Sequence, residues 1–361
     1  MKSNSTLRLT LGIISIVFLL LYPPLMMGLA SAELIRDANF YILQIGVQSL
    51  YLAILAMSLA FLAGYGGMVS LAQIALYGVG SYAFANLVSM NGYPAWVGIL
   101  AALILPSIVA VLFALISVRT EGIYFLMITL ALAMLTFSFA LQNRSITRGF
   151  SGINDTQAPW FDPTNLVRSS TIFYYVAVVI ALAFFFGFRY IVNTPFGLAM
   201  QAIRDNSRRM RALGFSVTAH RVAAFTLAGF VAGVAGLLGV WYNGQMSPGA
   251  IDLTRNINVL MIAVLGGLMY FEGAFVGAVF FVLVTTFAST FTNWLNALEL
   301  PIKLGFNTLI GIAFLLVALF LKDGLMGLFW RLVDQDRGNA LPASPATAAG
   351  SSELQALKPE E

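Results

Sequence analysis

Residues 64–87 read "GYGGMVSLAQIALYGVGSYAFANL", and the fold turns on how this stretch is understood. It carries Gly64, Gly66, Gly67, Gly78 and Gly80, with Ser70, Gln73 and Tyr77 between them, inside a chain that is otherwise almost unbroken apolar sequence. The 361 residues are 60% hydrophobic and only 9% charged, far below the quarter or so of charged residues usual in soluble domains. A chain of this composition is a polytopic membrane protein.

Crossing the hydrocarbon takes about 20 apolar residues in a helix. Such segments fall at roughly 11–30, 40–63, 68–90, 95–118, 122–141, 172–192, 222–243, 257–269, 273–291 and 303–321. The reading is therefore an all-α bundle of about ten spans, because sheet edges cannot be satisfied in lipid. Cationic loops stay on the cytoplasmic side. With the N-terminus inside, thirteen of the 19 basic residues fall there: Lys2, Arg8, Arg119, Arg189, Arg204, Arg208, Arg209, Arg211, Arg221, Lys322, Arg331, Arg337 and Lys358. The other six, Arg36, Arg144, Arg148, Arg168, Arg255 and Lys303, fall outside. Lys2 and Arg8 precede an apolar run closing on "ASA" (30–32), as in a cleavable leader, but that run exceeds the 7–15 residues of a leader core and reads as a retained first span. From about Gly338 the tail is rich in Ala, Pro and Ser and has no apolar period, so 338–361 reads as a disordered cytoplasmic tail.

Taken as one helix, the opening stretch places Ser70, Gln73 and Tyr77 on one face, with Ala75, Gly78, Ser81 and Ala85 as a small-residue stripe beside them. Small residues let helices approach closely. A polar row at membrane depth faces either protein or a water-lined path, and the pattern alone leaves both open. Gly64, Gly66 and Gly67 predict a break at the helix entry, so the broken region covers 64–80. A second one covers 263–280, "AVLGGLMYFEGAFVGAVF", where Gly266 and Gly267 echo Gly66 and Gly67, and Gly273 and Gly277 form a small-xxx-small pair. Paired interruptions in two halves of a chain are where transporters place their pathways. Glu272, the acid in this second break, reads as reaching cytoplasmic water.

The longest cytoplasmic loop spans 193–221. Thr194 can cap a helix that begins at Pro195, and Asp205 or Asn206 a second one ending at Gly214. Met210 and Leu213 share a face of that second helix, with Arg208, Arg209 and Arg211 around the rest. Such a hairpin suits a groove on another protein, and equally an anionic membrane surface.

Several chemistries are excluded. With no cysteine and a single histidine, His220, there is no disulfide framework, thiolate or Cys/His zinc site. A phosphate-binding loop needs Gly-Lys followed by Ser or Thr, and none of the four lysines follows a glycine. The inward bias of basic residues accounts for the net charge of +4 without a nucleic-acid partner. Gly149 to Gly152 spells "GFSG", which resembles rhomboid intramembrane proteases, with His220 as the base of a Ser-His dyad. Ser151 and His220 fall on opposite sides of the bilayer, though, and a dyad needs about 3 Å.

"GYGGMVSLAQIALYGVGSYA", "RTEGIYFLMITLALAMLTF" (119–137), "TPFGLAMQAIRDNSRRMRALG" (194–214) and "MSPGAIDLTRNINVLMIAVLGGL" (246–268) stand in this order. They resemble the landmarks of LivM-type permeases of branched-chain amino acid ABC transporters, from about Phe40 to Arg331. The resemblance implies a transmembrane permease domain over 1–330 and an importer driven by ATP. It implies that the 193–221 loop docks on an ATPase, with Arg204, Asp205, Asn206 and Gly214 at matching positions and Arg208 and Arg209 beside them. The pathway and its helix breaks are read, from the glycine and polar pattern above, at Gly66, Gly67, Ser70, Gln73, Tyr77, Gly266 and Gly267. The implied partners are two cytoplasmic ATPase subunits, which bind the ATP and Mg, a second homologous permease subunit, a periplasmic substrate-binding protein and membrane lipid, at the bacterial inner membrane. No cofactor is expected in this chain. Ala72, Leu76 and "TRGFSGIN" (147–154) depart from the family pattern, so a transporter class follows and a particular substrate does not. An ion-coupled secondary carrier is the alternative, although intramembrane acids and histidines of the kind it needs are scarce.

Overall fold

The computed structural model describes residues 41–156 and 166–297, with 21–28, 324–327 and a few single positions besides. Of the first predicted span, 19 and 21–28 are described, whereas most of the last one and all of the 338–361 tail lie outside this set. Ten helices organise the rest: α1 (Gln48–Ala60), α2 (Gln73–Ala85), α3 (Ala95–Ser117), α4 (Ile123–Gln142), α5 (Leu166–Val192), α6 (Pro195–Asp205), α7 (Ser207–Ala212), α8 (Val217–Asn243), α9 (Leu253–Gly266) and α10 (Phe271–Ala297). The π-helical turns Tyr41–Val47 and Phe61–Tyr65 extend α1 at both ends. Five helical stretches among the described residues are long and apolar enough to cross a membrane: 44–65, 95–117, 123–142, 168–192 and 217–243. The predicted segments at 257–269 and 273–291 fall on α9 and α10. The 68–90 segment is not one straight helix, as residues 68–72 are not helical.

Burial separates a centre from a rim. In the apolar window of 44–65, 83% of residues are buried, and 72% in that of 217–243, against 22% for 123–142. So α1 and α8 are inner helices, and α3, α4 and α5 turn aliphatic faces outward, Ile104, Ile108, Leu112 and Leu135 among them. Lipid is as apolar as leucine, so inner contacts rest on close packing and hydrogen bonds rather than on expulsion of water.

Helix α8 supplies that packing through glycines spaced one turn apart. Gly229 lies against Ala110, and Gly233 against Pro106 of α3 and the backbone of Gly80 in α2. Gly236 lies against the Tyr77 carbonyl, and the Ser81 hydroxyl donates to the Gly236 carbonyl at 2.7 Å. The predicted small-residue stripe therefore shifts round the helix: Gly80 and Ser81 make the close approach, while Gly78 faces Ile251. At the far end of the bundle a two-residue antiparallel ladder pairs Ile153 with Met246 and Asn154 with Gln245, tying the loop after α4 to the end of α8. The helices α6 and α7 lie at the opposite end, between α5 and α8, where the arginines cluster.

Candidate functional site

The first break begins where α1 loosens into the π-turn Phe61–Tyr65. Gly67 then takes φ +66°, a left-handed conformation that glycine enters without steric cost. From there the chain is non-helical as far as Leu71, which lies in a bend, and the helix restarts at Gln73 behind Ala72. Non-helical backbone at membrane depth is tolerated only where protein satisfies it, and here side chains from distant helices do so. The Leu71 N–H donates to Thr129 Oγ1 of α4 at 3.1 Å, and the Leu71 carbonyl accepts from Asn256 Nδ2 of α9 at 2.6 Å. Nearby, the Ala72 N–H donates to Ser70 Oγ at 3.2 Å.

This geometry separates the predicted polar row. Ser70 precedes the helix and serves the backbone turn, because the non-helical run before Gln73 takes it out of helical register with Gln73 and Tyr77. Gln73 is buried, its Oε1 accepting from the Ser58 hydroxyl at 3.2 Å. Tyr77 is the member that reaches a cavity, of about 160 Å³, whose walls include Gln48, Tyr51, Asn243, Ser247, Arg255 and Asn258. Gly239 leaves room for its phenol, and its ring centroid lies 6.4 Å from that of Tyr51.

The second break is a tight hairpin between α9 and α10. Gly267 has φ +103°, and Gly266, Gly273 and Gly277 bring the two helices to backbone contact, so that a Cβ at any of them would meet a facing carbonyl. The two breaks touch one another. Gly64 abuts the Leu268 carbonyl, the Tyr65 hydroxyl donates to the Met269 carbonyl at 3.1 Å, and the Tyr65 ring stacks on Phe271 with centroids 4.8 Å apart. At the same end Glu272 pairs with Arg189 of α5 at 3.2 Å, both side chains substantially exposed.

Helices α6 and α7 sit beneath this junction. Thr194 caps α6, whose first residue is Pro195, and Asn206 rather than Asp205 caps α7, its Oδ1 accepting from the Arg209 N–H at 2.9 Å. Ala199, Ile203, Met210 and Val217 form a small apolar core of their own. Leu213 lies past the end of α7 and is 66% exposed, so it does not share the buried face of Met210. Gly214 turns the chain with φ +87°, and Arg208 and Arg209 point outward. Arg204 points inward. Its guanidinium donates to the Gly64 carbonyl and lies 3.7 Å from Met269 Sδ, while its stem packs over Gly67. Asp205 holds the same guanidinium at 3.0 Å. One side chain of the loop thus grips both glycine breaks.

A second grip comes from Glu121, in the α3–α4 loop, which the sequence reading did not single out. Its carboxylate accepts from Arg221 Nη1 at 2.9 Å and from Ser207 Oγ at 3.3 Å, with Arg211 at 3.9 Å. Partial burial alone would raise this carboxyl. The hydrogen bond and charge of Arg221, helped by Ser207 and Arg211, outweigh it and hold Glu121 below the ordinary carboxylate range.

His220 lies at the arginine-rich end, stacked on Phe196 at 5.8 Å, its Nδ1 2.9 Å from the Ser216 carbonyl. Ser151 lies beside the ladder at the other end of α8. About 35 Å of helix separates His220 from the end of α8, at 1.5 Å per residue, so no Ser-His dyad forms. Among the described residues no group of His, Asp and Glu could hold a metal ion.

The sequence profile described as branched-chain amino acid transport system, permease component, matches residues 41–319. The chain belongs to this family. The permease is 25% identical over 290 residues to the high-affinity branched-chain amino acid transport system permease protein LivM of Salmonella typhimurium, and equally to that of Escherichia coli. Each match covers 73% of this chain and 65% of the relative, so the permease spans a little under two thirds of those relatives' length. No solved structure matches it.

Proposed function

We propose that the chain is the transmembrane permease subunit of an ATP-driven ABC importer that passes branched-chain or related small amino acids across the bacterial inner membrane. In this reading two cytoplasmic ATPase subunits bind ATP and magnesium and dock on the exposed Arg208 and Arg209 face. A second homologous permease subunit completes the pathway, and a periplasmic binding protein delivers the substrate. The permease itself catalyses no reaction.

The observation that carries this reading is Arg204, because it joins the capped, basic hairpin to both helix breaks at once. Movement of α6 by a docked ATPase is transmitted to the Gly64 carbonyl and to the turn at Met269. Gly67 and Gly267 are the positions where the backbone can swing at low steric cost. A small change at the loop is then amplified, since packed helices adopt discrete arrangements rather than deform continuously.

Expression with the neighbouring ATPase, permease and binding-protein genes should give ATP-dependent leucine uptake that falls to background when the ATPases are omitted; uptake that persists without them indicates an ion-coupled carrier. Reversing both charges, R208E with R209E, should abolish uptake while the chain still reaches the membrane. R204A should leave the ATPases bound and hydrolysing ATP but cut uptake at least tenfold, a loss of about 1.4 kcal/mol of coupling. Undiminished uptake in either variant overturns the docking and coupling roles.

A further inference from the structure

Among the described residues, the cavity that Tyr77 enters is lined by one cation, Arg255, and by no Asp or Glu. Arg255 is the third residue of α9 and lines the cavity wall. Arg189, Arg204, Arg211 and Arg221 each have a carboxylate oxygen within 4 Å. Among the described residues, no such ion pair reaches Arg255. Its neighbour Asp252 is engaged elsewhere, capping α9 by accepting from the Arg255 backbone N–H at 2.8 Å. The remaining polar wall is neutral: the amides of Gln48, Asn243 and Asn258, the Ser247 hydroxyl and the Tyr51 and Tyr77 phenols, with no Asp or Glu among the lining residues. The guanidinium stands close enough to both phenols to act on them electrostatically.

Arg255 lines this cavity and is itself exposed, so its guanidinium is open to a ligand. A guanidinium selects planar anions that accept two parallel N–H bonds, above all carboxylates. The amide and phenol oxygens opposite are acceptors suited to an ammonium group. We propose that Arg255 receives the carboxylate of the permeating molecule, so that the pathway passes substrates with a free carboxylate and discriminates against their amides. This rests on the transport reading above and adds which group of those small amino acids the pathway requires.

The test uses the assembled transporter in right-side-out vesicles. The chain has no cysteine of its own, so N258C places a single thiol in the cavity wall, and it is labelled with an anionic and with a cationic methanethiosulfonate. With Arg255 present, the ratio of anionic to cationic labelling rates should be about tenfold higher than with R255Q, the enhancement expected of a cation focusing anions in a cleft. Leucine should slow the anionic reaction and leucinamide should not. In the chain without N258C, R255Q should lower ATP-driven leucine uptake about tenfold, and R255K should recover part of it. A labelling ratio unchanged by R255Q overturns the proposal and indicates that an acid of the partner permease already neutralises the arginine. Equal protection by leucine and leucinamide overturns it as well, and so does a thiol inert to both reagents. If the unmodified transporter takes up no leucine on ATP, the transport reading fails, while the labelling ratio still reports whether Arg255 commands the cavity.

Discussion

Leu71 shows how a membrane protein can afford a broken helix. Its N–H and C=O have no helical partner, and Thr129 and Asn256, 58 and 185 residues away in sequence, supply both bonds. Leaving a buried backbone group unpaired costs about 1–3 kcal/mol. T129V and N256A should each lower the thermal midpoint in detergent by an amount corresponding to that range, whereas T136V, whose hydroxyl bonds only the Leu132 carbonyl of its own helix, should change it little; equal shifts in all three would show that the non-helical segment is not held this way. Ser70 and Gln73 were legible as unusual but not as to role. Periodicity put them on one face, with packing and pathway both open, because it took the helix to begin before Gln73. Thr129 and Asn256 carried no local signal, since an isolated Thr or Asn in an apolar run looks like any packing residue.

At the level of elements, the α6–α7 hairpin was the most readable part of the molecule. Its caps are local: Thr194 before Pro195 and Asn206 before Ser207 need only their own next turn. What anchors the hairpin was not readable, because Glu121 comes from the α3–α4 loop. With its pKa lowered in the folded protein, Glu121 contributes stability that is fully present above the ordinary carboxylate range and is lost as the pH falls through the lowered value. Hydrogen exchange over residues 207–213, corrected for intrinsic rates, should therefore be about two- to fivefold faster in E121Q than in the parent at pH 7, the range for ion pairs this exposed. The difference should close as the pH falls below the ordinary carboxylate range. A difference that stays constant with pH would place the effect in packing rather than in the charge.

On the scale of the whole molecule, the two glycine breaks, the arginine-rich hairpin and the cavity form one connected system. Arg204 touches both breaks, a non-helical run leads from Gly67 to α2, and Tyr77 of α2 enters the cavity. Single cysteines along this line should separate the lining residue from the buried ones. In the assembled transporter Y77C should react with a small polar thiol reagent and be protected by leucine, whereas S70C and Q73C, at positions 1% exposed, should stay inert. Equal reactivity at all three positions would restore the continuous polar face read from sequence.

The amino-acid sequence alone determined the class of the molecule and its local punctuation. Apolar length sets a helical membrane bundle, because only helices or closed barrels satisfy their backbone in lipid. Glycines mark where helices stop, and Thr194 before Pro195 marks where the short α6–α7 pair begins. These are short-range rules that act within a turn or two of chain. Only the tertiary structure decided which groups meet: that Asn256 and Thr129 complete the backbone of Leu71, that Arg204 spans two breaks some 200 residues apart, and that Tyr77 rather than Ser70 or Gln73 enters a cavity beside Arg255. Hydrogen bonds and ion pairs depend on separations of a few ångströms between distant segments, and no periodicity along the chain carries that information.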